Sequence, residues 1–198
     1  KVTVQAFSPY KVQKQWNATT HGGSVGRRAQ LKVNNHADFA FGTADFTIEL
    51  WYIRMANSGG TTRRIYDNRG SSKTGISIME DSSRKIKVTY GTTSSETQWL
   101  LETSARENGD FAWYHIAVSR VSGNTRLFVN GTQEANSNSS VNVNNDDDGH
   151  LFISAYDGVS INGPMRIVKG TGVYIEGDFY PPYEGFTKTG STYYSLNF

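Results

Sequence analysis

The sequence predicts an all-β fold, an antiparallel β-sandwich, and three observations support this prediction. Apolar side chains recur at every second position in several short runs, which is the period of a half-buried strand. Gly, Ser, Asn and Asp residues separate these runs at short intervals and favour turns. No long stretch has helical periodicity, and the 13% aromatic content suits sheets that pack face to face.

Strand alternation is clearest in residues 46–51, where Phe46, Ile48 and Leu50 face one side and Trp51 faces the other. The same pattern predicts further strands around residues 76–78, 86–90, 114–118, 127–129, 151–153, 167 and 174–175.

The predicted connections are turns and exposed loops. Residues 80–83 (Glu-Asp-Ser-Ser) read as a polar hairpin turn, and Asn130-Gly131 is a strong signal for a type I′ hairpin turn. Residues 98–102 have the composition of a helical turn, but their surroundings favour a strand. Residues 136–149 are the most polar stretch and are expected to form an exposed loop.

Length and charge exclude several classes of protein. A chain of 198 residues suggests one domain with a sizeable core, and the absence of Cys excludes disulfides and thiolate metal sites. A net charge of +2, from 20 basic and 18 acidic residues, argues against a nucleic-acid binder. The apolar runs are too short to span a membrane.

The chain opens with Lys1 and too polar a stretch for a signal peptide, so we expect a processed product, a tag-trimmed chain or a piece of something longer.

Six segments resemble parts of concanavalin A-like, laminin-G-like jelly rolls. Residues 165–174 (MRIVKGTGVY) and 178–182 (DFYPP) are similar to the closing motif of laminin-G-like modules in tailed-phage structural proteins. The others are similar to an opening strand, a central strand, a hairpin and a final strand, at residues 40–51, 113–120, 125–131 and 195–198.

The resemblance covers residues 22–198 and implies a jelly roll of two curved antiparallel sheets, with binding loops along one rim. In many relatives the concave sheet carries sugar sites. Residues 1–21 are then expected to form an extended N-terminal arm, and the location implied is a virion surface or the extracellular space. One departure is Gly163-Pro164, where relatives usually carry an acidic or polar pair. Because Pro cannot donate to a ladder, we expect an edge or a bulge there.

No catalytic constellation is evident, so we expect no enzymatic activity. Glucanases that share this jelly roll place Glu-x-Asp-x-x-Glu on one strand, so that two carboxylates flank the glycosidic bond, and this chain lacks such a run. Glu49 is alone on its strand, and Glu80-Asp81 falls in a predicted turn. The favoured interpretation of His115 is a packed or hydrogen-bonded residue on the second face of its strand.

Asp146, Asp147 and Asp148 are the candidate metal ligands, because calcium takes several oxygen ligands. Calcium is thus the one cofactor considered, and the alternative is a solubilising loop. Asp157 can either join such a site or serve as a turn residue.

A sugar site needs an aromatic platform for the apolar ring face and planar polar groups for the hydroxyls. The chain offers Asp67, Asn68 and Arg69 in one polar loop, and further candidates near loops or strand ends: Trp16, Trp99, Tyr156 and Asp157. For each aromatic residue the alternative is partial burial, and Trp51 and Trp113 are expected in the core or on a sheet face.

Three functions are compatible with these residues. The first is a non-enzymatic phage virion module (a capsid decoration, head-fibre or tail-associated protein), whose partners are other virion proteins or copies of itself. Its first 20 residues would then dock on a neighbouring subunit. The second is a stand-alone lectin module that binds cell-surface glycans, and the third is a glycan hydrolase of the same fold.

Overall fold

Two antiparallel sheets make up the described part of the protein, as the sequence predicts. The structure is a computed structural model, and it describes residues 19–21, 31–54, 62–71, 74–92, 95–104, 111–138, 141–145, 149–155, 160–182, 185–188 and 192–196. The strands are β1 (Thr19–His21), β2 (Leu31–Val33), β3 (Phe46–Arg54), β4 (Arg63–Asp67), β5 (Gly75–Glu80), β6 (Ile86–Thr92), β7 (Ser95–Glu102), β8 (Trp113–Val121), β9 (Asn124–Val129), β10 (Thr132–Asn138), β11 (Leu151–Ala155), β12 (Ser160–Lys169) and β13 (Thr192–Leu196).

Sheet A has the order β1-β12-β3-β8-β9-β10, and β13 also pairs with β12; sheet B has the order β2-β11-β4-β5-β6-β7. The only helical structure in the described ranges is a 3-10 turn, Ala37–Phe39, so they contain no helix able to cross a bilayer. Residues 19–21 of the expected arm form β1, and residues 1–18 lie outside the described residues.

The core lies between the inner faces of the two sheets and follows the predicted alternation. Ile48 and Leu50 of β3 pair with Val118 and Ile116 of β8, and all four are buried. Sheet B contributes the alternate residues of its own strands, which are buried against them: Tyr66, Ile76, Ile78, Val88, Tyr90, Leu101, Leu151 and Ile153. Burial of these side chains supplies the main stabilising free energy of the fold.

Two sequence predictions need correction. Residues 136–138 were expected in a loop, but they complete the edge strand β10, because their backbone pairs with β9 as far as Asn138. Tyr174-Ile175 was expected to be a strand, but it is irregular backbone that pairs with neither sheet. It belongs to a segment that we call the closing segment, residues 170–182 and 185–188. The strand prediction for residues 98–102 is confirmed by β7.

The Asn130-Gly131 turn joins β9 to β10 with φ values of 52° and 85° at its two residues, which confirms the predicted positive φ at both positions. The closing segment is bound to this turn, since the Phe179 N–H donates to the Gly131 carbonyl at 2.9 Å. A Cβ on Gly131 would overlap the Phe179 carbonyl oxygen. Glycine is therefore required here both for its φ and for the close approach.

Gly163-Pro164 forms a bulge in β12, one of the two outcomes expected from the sequence. The pairing with β3 shifts between Asn162, which is opposite Tyr52, and Met165, which is opposite Leu50. β12 also pairs on its other side with β1 and β13, so it is not an edge strand. The missing N–H of proline therefore falls at an interruption of the ladder.

We predict that Gly131→Ala destabilises the protein much more than Gly170→Ala. Both glycines have φ near 85°, but a Cβ on Gly170 would meet nothing within 4 Å. The strained φ alone should cost about 1 kcal/mol at either position, and displacement of the closing segment should add at least about 2 kcal/mol at Gly131. Urea unfolding of both variants measures the difference, and equal losses would contradict the close packing of the closing segment on the turn.

Candidate functional site

The outer face of sheet A is covered by the closing segment. Its backbone is bound to the sheet by side chains that point away from the core: Val173 N–H donates to Thr47 Oγ1 at 2.8 Å, and Tyr174 N–H donates to Ser119 Oγ at 3.3 Å. The rings of Tyr174 and Phe179 stack on each other with centroids 3.7 Å apart. This face is therefore filled by the protein's own chain.

A buried carboxylate lies beneath the closing segment. Glu49, on β3, is 0% exposed and accepts four hydrogen bonds or ionic contacts. Arg166 Nε donates to one carboxylate oxygen at 2.6 Å and its Nη2 reaches the same oxygen; His115 Nε2 and the Tyr174 hydroxyl contact the other at 3.0 and 2.7 Å. Arg166 also donates to the Thr187 carbonyl at 2.9 Å. The carboxylate thereby connects β3, β8, β12 and the closing segment.

His115 is a hydrogen-bonded residue packed among aromatic rings, which confirms its favoured interpretation. The ring edges of Trp51, Phe179 and Tyr174 surround it at centroid distances of 5.2, 5.8 and 6.4 Å. Because a carboxylate can only accept, His115 donates the proton on its Nε2 to Glu49. The other ring nitrogen, Nδ1, is buried and has no hydrogen-bond partner in the described residues.

The pKa of Glu49 is below its ordinary value. Burial on its own raises the pKa of this carboxyl, but the hydrogen bond and charge of His115, the charge of Arg166 and the Tyr174 hydrogen bond outweigh it. A carboxylate held in this way is neither open to solvent nor protonated, so it lacks both properties of a general acid. Glu49 therefore fits a structural role, not the catalytic role that the hydrolase interpretation would require.

The outer face of sheet B carries a row of side chains that cross the strands at one level. The register places Lys32 of β2, Phe152 of β11, Asp67 of β4, Ser77 of β5 and Thr89 of β6 side by side. Their chain neighbours are the core residues, so these five side chains point away from the core. We call this set the sheet B row.

Asp67 is the hub of this row. Its Oδ1 accepts from the backbone N–H and Nε of Arg69 at 3.1 and 2.9 Å, and its Oδ2 accepts from Arg69 Nη2 at 3.1 Å and from Arg64 Nη1. One carboxylate thus orients two guanidinium groups. The Arg69 side chain is 7% exposed and the Arg64 side chain is 31% exposed, so Arg64 is the more accessible of the two.

Two hydroxyls of the row have unused hydrogen-bonding capacity. Ser77 and Thr89 are directly opposite each other, and both hydroxyl oxygens are buried without a hydrogen-bond partner among the residues that the structure describes. A buried polar group without a partner costs free energy unless water or a ligand satisfies it. The half-buried ring of Phe152, with its centroid 6.2 Å from that of His150, lies on the other side of Asp67.

Asn68 has a different position from the one expected for a sugar contact. It is 0% exposed; its side-chain amide donates to the Phe39 carbonyl at 3.2 Å, and its Oδ1 accepts from the Ile76 N–H at 2.7 Å. These bonds hold the 3-10 turn and the start of β5 against the loop. Within the predicted polar loop, the structure thus places Asp67 and Arg69 together on the outer face and Asn68 inside.

The remaining predicted site residues lie largely outside the described residues. Trp16, Tyr156 and Asp157, and the metal candidates Asp146, Asp147 and Asp148, are all outside them. Trp99 has a described backbone on β7, opposite Tyr90, but its side chain is not described. Among the described residues, no group of three or more His, Asp or Glu side chains is arranged to hold a metal ion.

Sequence reasoning missed Phe152, Ser77 and Thr89. Each occupies the alternate, outward position of a strand that was predicted from its inward residues, which is a weak local signal. Arg64 was noted only as part of the pair Arg63-Arg64, interpreted as a solvated face or a contact for an acidic partner. The structure separates the pair, since Arg63 is buried near Glu80 and Arg64 contacts Asp67.

Comparison with known proteins identifies the family. The family model of the concanavalin A-like lectin/glucanases superfamily matches residues 14–168, so the chain belongs to this superfamily. No curated protein matches it in sequence.

Solved structures similar to the chain include receptor-binding domains of botulinum neurotoxins. The type D domain gives a TM-score of 0.63 at 12% identity, covering 79% of this chain and 41% of that chain. The neurotoxin DC binding domain in complex with SialylT gives 0.54 at 14% identity, covering 75% and 40%. Botulinum neurotoxin type C, whose cell entry depends on interaction with two ganglioside molecules, gives 0.53 at 12% identity, covering 75% and 42%. The similarity shows a shared fold, and the chain spans less than half the length of these proteins.

We predict that Glu49→Gln lowers the free energy of unfolding by about 3–5 kcal/mol at about pH 7, because it removes the buried negative charge that Arg166 contacts. Tyr174→Phe, which removes one hydrogen bond to Glu49, should cost about 1–3 kcal/mol.

The contribution of Glu49 to stability should depend on pH. Since folding lowers the pKa of Glu49, this contribution is complete above the unfolded-state pKa and is lost as the pH falls through the folded-state pKa. Urea unfolding should show the gap between wild type and Glu49→Gln narrow from about pH 7 to about pH 3, and a constant gap would contradict the assignment.

Proposed function

We propose that the protein is a non-enzymatic binding module that recognises glycans through the outer face of sheet B. The observation that carries this proposal is the sheet B row, in which the ring of Phe152 stands beside Asp67 with its two arginines and two hydroxyls without partners. An aromatic ring packs on the apolar face of a sugar, while planar polar groups and hydroxyls bind its hydroxyl groups.

Two further points support the location. The outer face of sheet A is covered by the closing segment, whereas the sheet B row keeps Lys32 exposed and Phe152 half-buried. Among the proteins of similar fold, a neurotoxin binding domain has been solved in complex with SialylT, and the cell entry of neurotoxin type C depends on interaction with two ganglioside molecules. Glycan binding is therefore a reasonable role for the fold. Trp16, Trp99, Tyr156 and Asp157 stay proposed contributors to the same function.

Hydrolysis is the second candidate, because the superfamily includes glucanases. The burial of Glu49 and its four bonds count against it as the reacting carboxylate. Reducing-sugar release from a panel of β-glucans would support hydrolysis, in particular if Glu49→Gln abolished it while the variant stayed folded.

A glycan array tests the binding proposal. We expect the wild-type protein to bind at least one class of saccharide, and Phe152→Ala to weaken that binding at least about tenfold through loss of ring stacking. Phe111→Ala is the matched control, because Phe111 is an aromatic residue that is 57% exposed in the turn before β8, away from sheet B. Absence of binding to every glycan would refute the proposal, as would equal losses in the two variants.

The same array, run with calcium and with a chelator, shows whether calcium affects glycan binding. A separate calcium titration tests the metal proposal for Asp146, Asp147 and Asp148. We propose calcium there because consecutive carboxylates can supply some of its oxygen ligands. Calcium titration of the wild type and of a variant with all three Asp residues changed to Asn should show binding only in the wild type. Equal heats in both proteins would contradict the metal proposal and favour the alternative, a solubilising role for these residues.

We further propose that the module works on the surface of a phage particle, as a capsid decoration, head-fibre or tail-associated protein. The support is the closing segment, whose sequence resembles that of phage structural modules and which packs tightly in this chain. We expect the full chain to sediment as an oligomer or to be recovered with phage particles, and deletion of residues 1–18 to weaken the association. A strictly monomeric protein that is absent from particles would contradict this role.

A further inference from the structure

We propose that sheet B binds N-acetylated sugars at the edge where β2 meets β11, and that His150 is the residue that donates a hydrogen bond to the acetamido carbonyl. The inference rests on the proposed glycan-binding function. It adds the chemical class of the ligand and a residue that determines this class.

The first step concerns the position of His150 beside the aromatic ring of the sheet B row. β2 is the edge strand of sheet B, and β11 pairs with it. His150 comes two residues before Phe152, and Leu151 between them belongs to the core, so alternation places both rings on the outer side. The two rings are in contact, with centroids 6.2 Å apart and planes inclined at 70°. A sugar that packs on Phe152 therefore also meets His150.

The second step concerns the proton of His150. The backbone N–H of Asn35 donates to Nδ1 of His150 at 3.2 Å, so Nδ1 holds a lone pair and the proton of the ring is on Nε2. Within the described residues Nε2 has no hydrogen-bond partner, and it is not fully buried. One backbone contact thus fixes the tautomer, and His150 offers a single N–H donor of defined position to a ligand.

The third step concerns Lys32, which is directly opposite Phe152 on β2. Lys32 is exposed, and it has no ion-pair partner in the part of the chain that the structure describes. An ammonium group donates hydrogen bonds and cannot accept them. On the other side of Phe152, the Asp67 carboxylate is already bound by the guanidinium of Arg69. The two polar groups that flank the ring at the β2 edge are therefore both donors.

The fourth step concerns the ligand group that fits two donors beside an aromatic ring. An acetamido group has a carbonyl that only accepts and a methyl group that packs on the ring. Its N–H is trans to the carbonyl and points to the opposite side, where water can accept it. A sugar hydroxyl in the same place would bring a proton for which these donors offer no acceptor. The positive charge of an amino sugar would be repelled by Lys32.

The experiment compares saccharides that differ only in the group at one carbon. Chitotetraose, cellotetraose and the glucosamine tetramer share one backbone and carry an acetamido, a hydroxyl and an amino group. N-acetyllactosamine and lactose form a second set, with an acetamido and a hydroxyl group on another backbone. Titration calorimetry with the full chain should show that, in at least one set, the acetamido member binds about tenfold or more tightly than its partners.

Variants then assign the contact. His150→Leu removes the donor and should reduce the affinity for the acetamido member about tenfold, while the affinity for its hydroxyl partner changes little. His150→Gln keeps an N–H donor near the position of Nε2 and should retain most of the affinity, which a purely structural role of the ring would not predict. His36→Leu is the matched control, because Nδ1 of His36 also accepts a backbone N–H, that of Asp38, but at the cap of the 3-10 turn. Thermal unfolding of each variant verifies that it is folded.

Nitrogen-15 NMR of the imidazole rings gives a second readout. The free protein should show the tautomer of His150 with its proton on Nε2, and addition of the acetamido saccharide should shift the Nε2 resonance. A proton on Nδ1 in the free protein would contradict the contact with Asn35, and an unchanged Nε2 resonance in the complex would contradict the contact with the ligand.

The outcomes separate this inference from the proposed function. Equal affinities within both sets, or tighter binding of the hydroxyl or amino members, would overturn the preference for acetamido sugars and leave glycan binding intact. Equal losses in His150→Leu and His36→Leu would overturn the assignment to His150. If no acetamido member binds, the inference fails, and if the glycan array is also negative, the proposed function fails with it.

Discussion

The buried carboxylate of Glu49 is the contact on which the outer face of sheet A depends. A charged group that is 0% exposed is tolerated only if hydrogen bonds and an opposite charge replace its water. Glu49 receives these from His115, Arg166 and Tyr174, which lie 66, 117 and 125 residues further along the chain. Satisfying one carboxylate therefore requires β8 and β12 to flank β3 and the closing segment to lie across all three.

The two outer faces of the sandwich differ because their carboxylates have different partners. Glu49 has the guanidinium of Arg166, the imidazole of His115 and the hydroxyl of Tyr174 as partners, and the protein's own closing segment covers them. Asp67 has two guanidinium partners, those of Arg64 and Arg69. The described residues therefore show one outer face on which aromatic rings of the protein's own chain pack, and one on which a carboxylate orients two arginines.

The predictable parts of the structure are those in which one local rule decides the outcome. Alternation in residues 46–51 predicted β3, the Asn130-Gly131 pair predicted a turn with positive φ, and the missing N–H of Pro164 predicted a bulge or an edge. Asp67, Asn68 and Arg69 were also predicted to share one polar loop, but the contact between Asp67 and Arg69 is known only from the structure. The local rules failed for Tyr174. Side chains of sheet A hold the segment that contains it, so this segment has strand-like alternation but does not form a strand.

The sequence by itself determined an all-β sandwich without disulfides, its main strands and the presence of a polar loop around Asp67, because periodicity and turn chemistry act over a few residues. Only the tertiary structure decided that Phe152, Asp67 and Ser77 share one level of sheet B, and that Glu49 is enclosed. Strand order and register bring together residues that are far apart in the chain, and a register shift of one residue would turn each side chain to the opposite face. The set of residues that share one face is therefore a property of the assembled sheets.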